Sequence, residues 1–205
     1  FSALGAAELV TSLREHAHAV FVPQLARSPG MFAYQRRFDG LVAAYVAWLQ
    51  QHAAAGWRWT AGEESHRASV ALRDGRSVEF AGRIDRVDAR PGGATVLIDY
   101  KARDPVVLRR ALARRGEEIQ LPFYALLLPR PPDEAQYLCF DRARDRRGGV
   151  ESVAPDEALG PLTEAIGVRL REDLQRIADG APLPAIGCET VCGRCEMRGL
   201  CRRDH

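Results

Sequence analysis

The sequence predicts a mixed α/β fold closed by a short cysteine-rich segment, and three observations carry that expectation. Apolar residues recur at helical spacing through the first part of the chain. The period shortens toward two in the middle, and a long amphipathic helical pattern returns near the end. The 205 residues suffice for one domain with a real core, and the balance of 46% apolar to 27% charged residues is that of an ordinary globular protein. No apolar run is long enough to cross a bilayer and no basic-then-apolar leader opens the chain, so the expected location is cytoplasmic. The start at Phe1, inside a helical pattern, reads as a domain cut short at its N-terminus.

Taken in order, residues 1–57 are expected to be helical, with Phe38, Leu41, Val42, Tyr45 and Leu49 on one stripe. From Ala68 the pattern alternates and is broken at Asp74-Gly75 and at Pro91-Gly92-Gly93, which predicts consecutive antiparallel strands. Helical patterns follow around "VVLRRALARRG" and "QLPFYALLL", then a strand at "EAQYLCFDR". A helix is expected from about Pro161 to Asp179, with Leu162, Ile166, Leu170, Leu174 and Ile177 on its apolar face and Gly180 as its stop. No internal repeat or low-complexity tract is present.

The net charge of +2 excludes a strongly basic or acidic chain, although arginines crowd into "KARDPVVLRRALARRG" and "DRARDRR". Among 29 Lys plus Arg the only lysine is Lys101, in "VLIDYKARD". A lysine ammonium is a compact point charge that an arginine fork cannot imitate, so this position asks for chemistry beside a carboxylate. If the Pro-Gly-Gly turn is centred on Gly92, Asp85 and Asp99 face each other across a hairpin. Lys101 then shares their face, while Ile98 and Tyr100 point the other way. Opposed carboxylates repel, and a hard divalent cation such as Mg²⁺ or Mn²⁺ satisfies such a pair, leaving positions for water and phosphate oxygens. The bland alternative is a surface hairpin carrying an Asp–Lys ion pair.

"GRIDRVD", then "VLIDYKAR", then "QLPFY" resembles, in order and spacing, the PD-(D/E)XK nucleases of the RecB/AddB type, the C-terminal nuclease domains of bacterial helicase-nucleases. The resemblance is densest from Glu64 to Tyr124 and from Cys192 to Cys201. It implies a restriction-endonuclease-like mixed β-sheet flanked by α-helices over residues 1–187, and a metal-dependent DNA exonuclease acting in double-strand-break repair. In its terms Asp85 and Asp99 bind Mg²⁺ or Mn²⁺, Lys101 positions the attacking water, and Gln120 and Tyr124 form the Q-x3-Y element that supports the strand. Glu64 stands where the family often has an acidic residue, Arg83, Arg86 and Arg103 adjoin the metal-site elements as candidate phosphate contacts, and the implied partners are DNA and a helicase domain or subunit.

Residues 188–205 carry Cys188-x3-Cys192-x2-Cys195-x5-Cys201, which is metal-ligand rather than disulfide spacing. Coordination chemistry alone admits zinc or a [4Fe–4S] cluster, and the resemblance favours iron-sulfur through Cys192, Cys195 and Cys201. The upstream cysteine that completes such a cluster in the family is absent, because no cysteine precedes Cys139; either Cys188 completes the site or a ligand is lacking. Cys139, between Leu138 and Phe140, reads as a buried hydrophobe. The family's upstream histidine is not matched by His16 or His18. Two other functions compete with the nuclease: a non-catalytic nuclease-like module that binds DNA or a helicase, and a zinc-binding RNA or regulatory domain.

Overall fold

The computed structural model describes residues 4–114, 116–140, 149–182, 187, 192–193, 195–197 and 200–201. The "DRARDRR" run and Cys188 lie outside the described residues. Helices α1 (Ala6–Arg27) and α2 (Met31–Ala54) form an antiparallel pair, followed by strands β1 (Arg58–Ala71), β2 (Ser77–Ala89) and β3 (Thr95–Lys101). Then come α3 (Pro105–Leu112), α4 (Gln120–Leu127), β4 (Glu134–Cys139), β5 (Glu151–Val153) and α5 (Leu159–Ala178). The five strands lie in the order β1-β2-β3-β4-β5, with β3 and β4 parallel and the other neighbours antiparallel. This is a mixed sheet flanked by helices, as the motif order led one to expect.

Alternation along β3 divides the core into two layers. Val96, Ile98 and Tyr100 pack with Trp57 and Leu138 against Tyr45 and Trp48 of α2. Leu97 instead joins Tyr137 and Cys139 of β4, Leu108 of α3, Leu121 and Ala125 of α4 and Leu159 of α5. Cys139 is fully buried there, and burial pushes its thiol up to about 11, so it behaves as a small hydrophobe.

Local chemistry accounts for the short helices that shape the site. The Asp104 carboxylate accepts a 2.7 Å bond from the Val106 amide and Pro105 occupies the first turn, which together start α3 directly after β3. Pro122 falls in the first turn of α4, where its missing N–H costs no helical bond. Gly82 lets α4 lie close to β2. A Cβ there would come within 2.7 Å of Leu127 Cδ1 and 3.1 Å of Tyr124 Cε1.

Two expectations need correction, and one strand was not foreseen. β1 begins at Arg58 rather than near Ala68, because "RWTAGEESHRA" is mostly exposed on both faces and so carries no apolar alternation. The strand β5 has no sequence signal at three residues; its pairing with Tyr137–Cys139 creates it. Ile177, expected on the apolar face of α5, is 43% exposed, while Leu159, Thr163 and Gln175 are buried. The end of α5 is instead anchored by a polar contact, the Arg73 amide donating to Gln175 Oε1 at 2.8 Å.

Candidate active site

The register of β2 and β3 decides which side chains meet. Asp88 pairs with Val96 and Arg86 with Ile98, so the hairpin is symmetric about Gly92 and its ladder stops one pair short of Asp85 and Asp99. Where the ladder stops, a side chain takes over: the Asp85 carboxylate accepts a 2.9 Å bond from the Tyr100 amide. Across the sheet, β1 is irregular at the same level. Glu63, between the paired residues Gly62 and Glu64, has φ +58, the left-handed region that a non-glycine residue rarely enters. β2 changes layers here too. Phe80 meets Phe123 edge-to-face and Gly82 faces Tyr124 of α4, whereas Arg86 and Asp88 reach Tyr45 and His52 of α2. Asp85 sits at that crossover.

Asp99, Lys101, Gln120 and Tyr124 form one bonded cluster. The Gln120 amide donates to Asp99 Oδ1 at 2.7 Å and to the Tyr124 hydroxyl at 2.8 Å, and its Oε1 accepts from Lys101 Nζ. One glutamine thereby uses its acceptor and both donors to tie α4 to the end of β3. Lys101 Nζ also lies 2.8 Å from Asp99 Oδ2, and this ion pair aside, the buried Oδ2 has no polar partner among the described residues. Burial pushes the Asp99 carboxyl above its ordinary range. Lys101 pulls against that shift, and the negative charges of Asp85 and Glu118 add to it.

Glu118 and Tyr137 belong to this neighbourhood and carried no sequence signal beyond their parity and position. Glu118 holds Arg103 in an ion pair just before Gln120. Tyr137 pairs with Asp99 across the parallel β3–β4 ladder, and Lys101 Nζ stands 5.3 Å over its ring. Tyr137 was invisible because strand order, not sequence distance, brings it in, while Glu118 enters with the segment that leads into α4.

Other expected residues do not gather here. Arg86 is the clearest correction: it is 8% exposed, and its guanidinium donates to both oxygens of Asp88 at 2.7 and 2.6 Å, so it faces α2 and not solvent phosphates. Odd and even residues of β2 serve opposite layers at that level, which turns Arg86 away from Asp85. Glu64 is exposed, with His66 Nε2 at 3.6 Å, and no bond among the described residues joins it to Asp85 or Asp99. Arg83 is exposed and pairs with Glu63 at 2.8 Å. Cys192, Cys195 and Cys201 are in no disulfide among the described residues.

The metal expectation meets a mixed test. Among the described residues no three His, Cys, Asp or Glu side chains converge as a metal cluster. For the three described cysteines this means that the fit is not shown. For the carboxylates it is compatible with Mg²⁺, which is commonly held by one or two carboxylates plus waters and substrate phosphates. The buried Asp99 Oδ2, paired only with the Lys101 ammonium among the described residues and coupled electrostatically to Asp85, is the kind of oxygen that such an ion satisfies. Asp85 and Asp99 therefore fit a hard cation.

A sequence profile described as the PD-(D/E)XK nuclease superfamily matches residues 4–202. No curated protein matches the chain. Solved structures that resemble it include one titled "Crystal structure of SSO0001", 13% identical, with a TM-score of 0.43 over 96% of this chain and 84% of that one. No helix among the described residues is long and apolar enough to cross a membrane.

Proposed function

The chain belongs to the PD-(D/E)XK nuclease superfamily, and from that premise we propose that it is a metal-dependent deoxyribonuclease whose site is Asp85, Asp99, Lys101, Gln120 and Tyr124. The observation that carries the reading is the Gln120 side chain, which joins Asp99, Lys101 and Tyr124 in one hydrogen-bonded unit. A scaffold has no use for a partly buried lysine tied to a buried aspartate that keeps one oxygen orphaned.

Asp85 and Asp99 would hold Mg²⁺ or Mn²⁺, which when bound supplies Lewis-acid polarisation of the phosphoryl group and eases deprotonation of water. The chain's own residues provide position and charge. Lys101 presents its ammonium beside the carboxylates, where it orients the attacking water and offsets charge growing on the phosphate oxygens. Gln120 fixes both Asp99 and Lys101, so that neither swings away when the substrate is absent. In the reaction water oxygen bonds to phosphorus, the ester P–O bond breaks, and the departing oxygen leaves as a hydroxyl after taking up a proton. Arg83, exposed next to the site strand, and Arg103, half-exposed and held by Glu118, are placed to meet the DNA backbone.

The finer reading is an exonuclease domain of RecB/AddB type, working with a helicase on double-strand breaks in the cytoplasm. Its support is the D-x-K and Q-x3-Y order together with the Cys192-x2-Cys195-x5-Cys201 spacing. The iron-sulfur cluster rests on that spacing alone, and no catalytic step passes through it. Iron content and a brown colour in anaerobically purified protein would support it, and stoichiometric zinc would replace it.

Cleavage of end-labelled linear DNA with Mn²⁺ or Mg²⁺ tests the proposal, run against EDTA and against Asp99→Ala. Metal-dependent cutting that the substitution removes is expected. A folded protein that binds DNA and cuts under none of these conditions would leave a non-catalytic binding module.

A further inference from the structure

Two buried side-chain atoms among the described residues have no hydrogen-bond partner, Asp99 Oδ2 and the Tyr137 hydroxyl. They belong to residues paired directly across the β3–β4 ladder, so they share a sheet face. Leaving a buried polar atom unsatisfied costs about 1–3 kcal/mol, and phenylalanine would avoid that cost at a position that is 0% exposed. The two atoms are also complementary: the Tyr137 O–H can donate a hydrogen, and Asp99 Oδ2 can accept one. Lys101 Nζ neighbours both residues, 2.8 Å from Oδ2 and 5.3 Å from the tyrosine ring centre.

We propose that Tyr137 is a positioning residue of the active site: its hydroxyl and Asp99 Oδ2 share one buried water, which fixes the rotation of the Asp99 carboxylate. A buried water needs two to four polar partners, and the hydroxyl, Oδ2 and Lys101 Nζ supply them. With Gln120 bonded to Oδ1 and the water to one lone pair of Oδ2, the carboxylate is held from inside the protein while the other lone pair of Oδ2 stays open to the cation. Such outer partners typically change metal affinity or activity 10- to 100-fold when removed. Burial and the negative charge of Glu118 keep the hydroxyl protonated, so it acts only as a neutral hydrogen-bonding group.

This inference rests on the nuclease reading for its activity arm, so the test carries two further arms. In crystals of the metal-free wild type an ordered water should lie within hydrogen-bond distance of both atoms, and it should vanish or shift in Tyr137→Phe. Titration calorimetry with Mn²⁺ should show an affinity about 10-fold weaker in Tyr137→Phe, with a melting temperature no lower than that of the wild type. The kcat for DNA cleavage should fall by a similar factor while KM for DNA holds. A hydroxyl bonded straight to a protein atom, an empty space between the two atoms, or wild-type Mn²⁺ affinity in the variant would overturn the proposal. If the wild type itself neither binds Mn²⁺ nor cuts DNA, the nuclease reading fails, and the crystallographic arm decides the water and the role of Tyr137 by itself.

Discussion

Replacing Asp88 with alanine should unfold this protein more readily than any change within the candidate site. Asp88 is fully buried and accepts bonds from Arg86 Nε at 2.7 Å, Arg86 Nη2 at 2.6 Å and His52 Nε2 at 2.9 Å. Without it the Arg86 guanidinium, 8% exposed, is a buried charge left among the described residues with two tyrosine hydroxyls at 3.4 Å and the Trp48 ring centre 5.5 Å away. Removing one partner of a buried pair costs roughly 3–5 kcal/mol. For a chain of this size each kcal/mol moves the midpoint by about 2–4 °C, which gives a fall of roughly 6–20 °C. Thermal melting followed by circular dichroism measures it. The double variant Arg86→Met/Asp88→Leu should recover most of the loss, because an apolar pair of similar volume is often neutral or stabilising. The pH dependence has a definite sign. Burial opposes the Asp88 charge, but the bonds from His52 and Arg86 outweigh it and hold the carboxyl below 3.8. Its stabilisation is therefore complete above that value and disappears as pH falls through the depressed native pKa. An Asp88→Ala midpoint within about 2 °C of the wild type at pH 7, against the several degrees expected, would refute the reasoning.

Lys101→Ala should lower cleavage by about 10²–10³-fold, the typical loss on removing one preorganised donor, with DNA affinity by fluorescence anisotropy nearly unchanged. In EDTA, Asp99→Asn should gain stability over the wild type as pH rises from 4 to 8. Burial raises the Asp99 carboxyl, so its favourable contribution exists at low pH and is lost as the pH passes its native pKa; equal melting differences at both pH values would contradict this. Gly82→Ala should destabilise by about 1–3 kcal/mol through overpacking and reduce cleavage as well, because the added methyl meets Leu127 and Tyr124. Arg86→Ala should lower the melting temperature without changing the salt dependence of DNA binding, whereas Arg103→Ala should reduce that slope by about one phosphate contact.

The elements that the sequence marked were those whose side chains face unlike surroundings. The α2 stripe was readable because its apolar residues recur at helical spacing, Leu41, Val42 and Val46 being buried and Tyr45 packing on the sheet. The hairpin register was readable because Asp74-Gly75 and Pro91-Gly92-Gly93 permit positive φ, seen at Gly75, Gly92 and Gly93. The outer half of β1 and the short β5 were not readable, since one is polar on both faces and the other exists only through its neighbour. Arg86 misled because "GRIDRVD" places it beside Asp85, and sequence adjacency says nothing about which layer a strand residue meets at a crossover.

The sequence by itself determined the alternation that sets Asp99 and Lys101 on one face, the turn that centres the hairpin on Gly92, and the helical spacing that aligns Gln120 with Tyr124. These are local properties, governed by backbone period and turn geometry over a few residues. Only the tertiary structure decided that α4 docks its Gln120 between Asp99 and Lys101, that β4 lies parallel to β3 with Tyr137 beside Asp99, and that Arg86 turns inward to Asp88. Those pairings join residues distant in sequence, and they are settled by which packing buries the most apolar surface while leaving the fewest charges unpaired.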